Sequence, residues 1–244
     1  MVFIRERLKR LPHRIFQSCG YDFLRYTPEN FVALRRMKVF ETQKITLVLD
    51  VGADEGTYPQ ALRRSGYRGR VISFEPLSDS FRSLVKHAAK DPLWSCENVA
   101  VGNRDQTIEM NVSGHTTSSS ILPISTIHLM AMPSSATLRT AKVNMVRLDS
   151  LLGRLFGADE SIYLKVDVQG FERYVLEGAE NVMRQTRAIE LELSLATMYE
   201  GGATLVEMLD YLCHMGFVMV SLCPVFSDPQ TGRLFQVDGI FIKQ

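Results

Sequence analysis

The residues able to do chemistry in this chain are carboxylates and glycines placed at the ends of short apolar runs. Ile45-Thr46-Leu47-Val48-Leu49 runs into Asp50-Val51-Gly52-Ala53-Asp54-Glu55-Gly56, and Val71-Ile72-Ser73-Phe74 runs into Glu75-Pro76. Glycine lets a chain turn sharply where a Cβ would collide, and a helix opening just after such a turn aims its free N–H groups back at it. Glu75 follows Asp50 by 25 residues. Nucleoside-binding folds place an acid about 20 residues beyond the glycine turn, where it accepts hydrogen bonds from a ribose diol. A carboxylate suits a diol because it only accepts and has two oxygens. The turn reads Gly52-x-x-x-Gly56 and lacks the G-x-G-x-x-G spacing that seats a pyrophosphate. Asp54 and Glu55 would repel that anion and would favour the sulfonium and ammonium of S-adenosylmethionine. The alternative is an ordinary strand–helix turn, in which Asp and Gly are common.

A second group of charges lies further on. Ile162-Tyr163-Leu164-Lys165-Val166-Asp167-Val168 carries Lys165 and Asp167 inside an apolar run, and Ala188-Ile189-Glu190-Leu191-Glu192-Leu193 carries two acids. Residues two apart share one face of a strand, and a lone buried charge costs several kcal/mol. These groups must therefore be paired, bound to a ligand, or at the open end of the sheet.

The elements that hold them alternate between strand and helix from residue 45 onward, the rhythm of a doubly wound, mostly parallel α/β sheet. Helices are expected over 57–65 and 78–90, a strand over 95–101, and a strand over 107–112 pairing antiparallel at one side. Residues 113–141 lose all periodicity and hold His115, the Ser118-Ser119-Ser120 triplet, His128, Pro123 and Pro133. A loop of that length in a compact domain is functional or disordered, and it reads as a mobile substrate lid. Extended structure returns at 143–149, where Asp149 is expected to cap a short helix. Helix 203–215, strand 217–222 and strand 234–242 complete the sheet, with Asp238-Gly239 as a bulge or bend in the last strand.

Ahead of the domain (43–244) lies a helical extension, 1–42. It holds a helix from Pro28 to Phe40, capped by Thr27, that covers the site or mediates self-association. Its first 16 residues form a basic amphipathic pattern that either rests on an anionic membrane surface or packs as a cap with a solvated basic face. With 28 basic and 27 acidic residues the net charge is +1, so no global field recruits nucleic acid. The four cysteines show neither CxxC nor zinc spacing and read as reduced thiols, which points to the cytoplasm. No apolar run is long enough to span a bilayer.

Asp50-Val51-Gly52-Ala53, Phe74-Glu75-Pro76, Arg147-Leu148-Asp149 and Lys165-Val166-Asp167-Val168-Gln169-Gly170-Phe171-Glu172, in that order, resemble the FkbM-type methyltransferases over roughly residues 45–195. The resemblance implies a class I, Rossmann-like fold with a seven-stranded sheet whose last strand is antiparallel. It also implies S-adenosylmethionine as cofactor and O-methylation, commonly of a sugar or polyketide-type hydroxyl. Asp54 stands where the family often has Asn, and Gln169 where it often has Glu. On that resemblance Asp50, Gly52, Ala53, Asp54, Gly56 and Asp167 border the methionine end of the cofactor. Glu75 and Pro76 hold the ribose, and Asn98, Ala100 and Val101 border the adenine.

Asp167 becomes the candidate base, with Lys165, Glu192 and a lid histidine, His115, as further catalytic groups. Ser118, Ser119, Gln169, Glu172 and Glu190 become acceptor contacts. Asp167, Glu190 and Glu192 would be the ligands if a divalent ion such as Mg takes part. The alternatives are a salt-bridged cluster bracing the sheet, solvated loop histidines, and a flexible serine linker. Two other functions compete: a non-catalytic partner protein that holds S-adenosylmethionine, and a nicotinamide-dependent oxidoreductase. The expected partner is a glycan, glycolipid or small molecule rather than nucleic acid, with self-association and contact with the inner membrane face open.

Overall fold

The structure is a computed structural model that describes residues 16–157, 159–228 and 230–244. The basic segment at the start of the chain lies outside the described residues except for Phe16.

Seven strands form the central sheet in the order β3-β2-β1-β7-β8-β10-β9: Trp94–Glu97, Arg70–Phe74, Leu47–Val51, Ile162–Val166, Thr186–Ser194, Leu234–Lys243 and Phe217–Ser227. Only β10 runs against its neighbours. The five residues of β1 are all buried, as a central parallel strand covered on both faces requires. Strand order reverses between β1 and β7, and crevices of such sheets open there, beyond the carboxyl ends of the strands.

Alternation along the strands divides the core in two. Leu47, Leu49, Val51, Leu164, Val166, Ile189 and Leu191 face the helices Glu172–Glu177 and Leu205–His214. Val48, Val71, Tyr163 and Ala188 face the opposite layer, made of helices Val32–Thr42, Thr57–Arg64 and Ser78–Ala88. Val39 and Phe40 are buried in that second cluster, so the helix from the N-terminal extension packs directly on the sheet. It begins at Val32, later than the sequence suggests. Thr27 instead closes a separate turn, its carbonyl accepting from Asn30 and Phe31 N–H, and the Arg35 guanidinium braces that turn by donating to the Pro28 and Glu29 carbonyls.

Four more expectations need correction. The strand expected over 95–101 is two, because β4 (Ala100–Val101) leaves the main sheet. β4 joins β6 (Thr137–Val146), which pairs antiparallel with β5 (Gln106–Ser113), in a separate three-stranded sheet. The span 113–141 is not irregular: it holds the helix Thr126–Ala131, two 3-10 turns and the first part of β6. Its serines are structural, since Ser125 accepts from His128 N–H to cap that helix, Ser113 Oγ donates to Ser135 O and Ser120 Oγ to Gln169 O. Asp149 caps the short helix Val182–Gln185, its carboxylate accepting from Asn181 and Val182 N–H, and no bulge falls at Asp238-Gly239, which pair in register with Glu192 and Leu191.

Among the described residues no helix is long and apolar enough to cross a membrane, and the four cysteines are free.

Candidate active site

A cavity of about 520 Å³ opens at the reversal of strand order, within the range that holds a nucleoside-sized ligand. One wall is the glycine turn after β1. Gly52 has φ +82°, and a Cβ there would lie 1.9 Å from the carbonyl oxygen of Asp167, just beyond β7. The glycine is thus required by the neighbouring strand, while its own backbone remains on the cavity wall with Ala53 and Asp54. Gly52 and Ala53 N–H both donate to Phe74 O at 3.0 Å, which ties the turn to the end of β2. Asp54 accepts from Ser80 Oγ at 2.7 Å. Gly56 does not line the cavity: its missing side chain makes room for Leu84 and the Trp94 ring, 2.8 Å from where a Cβ would stand.

Glu75 closes the next wall. Its carboxylate accepts from Leu77 N–H at 2.8 Å and Asp54 N–H at 2.9 Å, and burial pushes the group up to about 7 against the pull of those two bonds. Each oxygen keeps a further lone pair for a ligand. Asn98 lies behind this turn, donating to the Glu75 and Pro76 carbonyls at 2.8 and 3.2 Å, so it holds the turn and does not face the cavity. Pro76, Leu77, Val99, Ala100, Val101 and Met110 give the same end an apolar lining.

The other end is polar. Parallel register aligns Ser73, Asp50, Lys165 and Glu190 in one row across β2, β1, β7 and β8. Asp50 is buried, accepts from Ser73 Oγ at 2.8 Å, and is pushed up to about 6 by burial. Glu190 is 0% exposed and accepts from the Arg36 guanidinium through both oxygens, and from the Tyr58 and Tyr163 hydroxyls at 2.6 and 2.7 Å. Burial alone would raise that carboxyl, but Arg36 outweighs it and holds it below the usual range.

Lys165 Nζ lies 3.2 Å from Asp167 Oδ2. Burial works against the ammonium, yet the surrounding acids, Asp167 foremost, hold its pKa above the ordinary lysine value. Gln169, with φ +57°, donates from one amide nitrogen to Asp167 Oδ1 at 2.7 Å and Glu192 Oε2 at 3.0 Å, and accepts from Tyr199 OH at 2.6 Å. Glu192 also accepts from Gln236 at 2.6 Å, and burial, followed by Asp167 and Glu172, holds it well above the usual carboxylate range.

The structure therefore brings Asp50, Gly52, Ala53, Asp54, Glu75, Pro76, Ala100, Val101, Ser119, Lys165, Asp167, Gln169 and Glu190 to one cavity. It does not bring Gly56, Asn98, His115, Ser118, Glu172 or Glu192 to that wall. Glu172 accepts from Val168 and Gly170 N–H and shapes the turn after β7, so it is no acceptor contact. Ser118 is buried, with its carbonyl taken by Tyr199 OH. His115 is exposed, its Nδ1 2.8 Å from Thr117 Oγ1, and His128 is buried against the Tyr199 and Phe226 rings. Asp167, Glu190 and Glu192 do not converge as metal ligands, because Arg36 and two tyrosines occupy Glu190 and two amides occupy Glu192; no such cluster exists among the described residues. Glu190 on the wall is likewise committed to its ion pair rather than open to an acceptor.

Among the wall residues not singled out in the sequence are Arg36, Tyr58 and Asp238. Arg36 and Tyr58 sit on helices and give no local signal. Asp238 gives one, since Val237-Asp238-Gly239-Ile240 puts a charge in a buried strand as Lys165 and Asp167 do.

The family model of the Methyltransferase FkbM domain matches residues 50–219. Among solved structures, the methyltransferase FkbM from Methylobacillus flagellatus KT superposes with a TM-score of 0.50 at 12% identity, covering 89% of this chain and 45% of that one. The chain thus spans less than half the length of that protein. Magnesium protoporphyrin IX methyltransferase (ChlM) from Synechocystis PCC 6803, with bound SAM, gives 0.46 at 9% identity over 100% of this chain and 96% of that one. Precorrin-6y C5,15-methyltransferase from Geobacter metallireducens GS-15 gives 0.45 at 11% identity over 87% of each chain. No curated protein sequence matches.

Proposed function

The chain belongs to the FkbM methyltransferase family, and from that premise we propose that it is an S-adenosylmethionine-dependent O-methyltransferase acting on a sugar hydroxyl of a glycolipid, polysaccharide or glycosylated natural product. The observation that carries this reading is the division of one cavity into two chemistries. At one end the Glu75 carboxylate is fixed by two backbone N–H groups beside an apolar wall, which suits a ribose and a flat base. At the other, Lys165 and Asp167 face the same space.

The residues fit this cofactor. Asp50, Asp54, Glu75 and Asp167 give the wall an acidic character that matches a sulfonium and an ammonium and would repel a pyrophosphate. S-adenosylmethionine supplies a methyl group made electrophilic by its sulfonium. The chain's own task is to align a hydroxyl and remove its proton. Lys165 and Asp167 offer a donor and an acceptor side by side at the carboxyl end of β7, which suits the donor–acceptor character of a sugar hydroxyl. Ser119 and Thr117, which also line the cavity, are further polar contacts for such an acceptor. We assign the protein to the cytoplasm, with residues 1–16 as a contact for the inner membrane face if the acceptor is lipid-linked.

The test is calorimetric titration of the full chain with S-adenosylmethionine, S-adenosylhomocysteine and NADH in parallel, followed by transfer of labelled methyl to glycosides. Micromolar binding of the two sulfur nucleosides and transfer to a glycoside is the expected result. Binding without transfer to any hydroxyl acceptor would instead mark a cofactor-holding partner protein.

A further inference from the structure

The acid that would receive the hydroxyl's proton is not settled by sequence position, and the hydrogen bonds point away from Asp167. Both Asp167 oxygens are engaged, Oδ2 by Lys165 Nζ at 3.2 Å and Oδ1 by Gln169 Nε2 at 2.7 Å. Gln169 is itself fixed by Tyr199 and Glu192, so this carboxylate is clamped from a buried network. Asp238, on the antiparallel strand β10, lines the same cavity and lies opposite Glu192 of β8. Among the described residues its carboxylate makes no hydrogen bond and no close ion pair, although Lys165 lies within its field. A partly buried carboxylate with free lone pairs, turned into the cavity beside a lysine, has no structural task there.

We propose that Asp238 is the carboxylate that takes the proton from the acceptor hydroxyl, and that Asp167, clamped between Lys165 and Gln169, positions that hydroxyl. This rests on the O-methyltransferase reading above. The O–H bond breaks with its proton passing to the Asp238 carboxylate. The oxygen keeps the electron pair and forms the O–CH3 bond, and the S–CH3 bond breaks with its pair left on sulfur. One negative and one positive charge are cancelled together, and Asp238 later returns the proton to water. The charged groups facing Asp238 are Lys165 from β7, Asp167 just beyond it, Glu190 and Glu192 from β8, and Arg36 from the Val32–Thr42 helix. Burial pushes the carboxyl up to about 6, with Lys165 pulling against it, which leaves it ionised and basic at neutral pH.

The experiment compares Asp238→Asn and Asp167→Asn in the full chain, with labelled S-adenosylmethionine saturating and a panel of methyl glycosides as acceptors. Asp238→Asn is expected to lower kcat by about 100-fold or more while leaving the calorimetric Kd for S-adenosylmethionine within about twofold, because Asp238 braces nothing. In the wild type kcat should rise with pH through about 6; that limb should vanish in Asp238→Asn and persist, at reduced rate, in Asp167→Asn. Saturating cofactor keeps the titration of Glu75 out of this profile. An Asp238→Asn enzyme retaining its limb and most of its kcat overturns the proposal, as does loss of the limb in Asp167→Asn alone. If no glycoside accepts methyl, the sugar reading fails, and carboxyl 13C NMR of the cofactor-bound chain decides the role of Asp238. A resonance missing from Asp238→Asn and titrating near 6 supports it, and one titrating below about 4, the ordinary aspartate value, overturns it.

Discussion

Replacing Arg36 by alanine should destabilise the whole domain, although the residue lies outside the span matched by the family model. Glu190 is 0% exposed and the Arg36 side chain 11%. Two of the four donors to that carboxylate come from the guanidinium, which also lies 4.9 Å from the Tyr58 ring centroid. Removing one partner of a buried pair leaves an uncompensated charge and costs about 3–5 kcal/mol. For a chain of this size each kcal/mol is worth about 2–4 °C, so Tm should fall by roughly 6–20 °C. Glu190→Gln added to Arg36→Ala removes the stranded charge, and the double variant should recover at least about 1 kcal/mol relative to the sum of the single losses. Urea unfolding followed by circular dichroism measures all four corners of that cycle. Arg36 holds the folded-state Glu190 carboxyl below its ordinary value, so the pair's contribution is complete above the unfolded pKa and fades as pH falls through the folded one. The loss in Arg36→Ala should accordingly shrink in acid. A single-variant loss below about 1 kcal/mol, well short of the buried-pair range, or strict additivity in the cycle, would refute the reasoning.

Glu75→Gln should weaken S-adenosylmethionine by about 1–3 kcal/mol, roughly 5- to 150-fold in Kd, through lost charge-assisted hydrogen bonds; an affinity unchanged by calorimetry would remove Glu75 from the site. Wild-type affinity should also fall as pH drops through about 7, where burial places this carboxyl. Gly52→Ala forces a Cβ to 1.9 Å from the Asp167 carbonyl at a φ of +82°, and roughly 3 kcal/mol or more of stability should be lost; an unchanged urea midpoint would show that the turn relaxes freely. Without ligand the protein should be more stable at pH 5.5 than at pH 8. Glu75 and Glu172 are raised to about 7 and Asp50 and Asp238 to about 6, so the folded state holds protons that the unfolded chain has released, and stability is lost as pH rises through that window. His128, depressed by burial, opposes this trend as a single group; greater stability at pH 8 would contradict the balance.

Much of the architecture was legible because it rests on short-range patterns. The β-branched run ending at Asp50, the glycine turn and the acid-ended strand at Glu75 each specify a strand end locally, and these parts lie where expected. What the sequence hid depends on contacts between distant residues. Thr27-Pro28 carries a helix-start signal, but the Arg35 guanidinium and the Pro28 and Glu29 carbonyls turn it into a separate loop. Residues 137–142 look irregular because that end of β6 is mostly exposed and carries no apolar alternation; its partner β5 creates the strand. The serine-rich span reads as a linker until Ser113 and Ser120 are seen bonding to backbone groups remote in sequence. Glu190 and Glu192 share a strand face, as spacing implies, yet different partners claim them, Arg36 with two tyrosines and Gln169 with Gln236. Spacing fixes the direction of a side chain and leaves open what meets it.

The span matched by the family model, residues 50–219, supplies Gly52, Ala53, Glu75, Pro76, Ala100 and Val101, at the end of the cavity that we assign to the nucleoside. The polar end is completed from outside that span. Arg36 comes from the helix Val32–Thr42 and Asp238 from β10, and both stand within reach of the field around Lys165 and Glu190. The segment before the sheet is therefore part of the folded domain: Val39 and Phe40 pack in the core, and Arg36 neutralises a buried carboxylate on the cavity wall. A variant beginning at residue 43 would strand Glu190 just as Arg36→Ala does and would also strip the cover from Val48, Tyr163 and Ala188. On the reading proposed above, S-adenosylmethionine would occupy the end built from the matched span. The acceptor would then meet the polar end, where Lys165, Asp167 and Ser119 of the matched span stand with Arg36 and Asp238 from outside it.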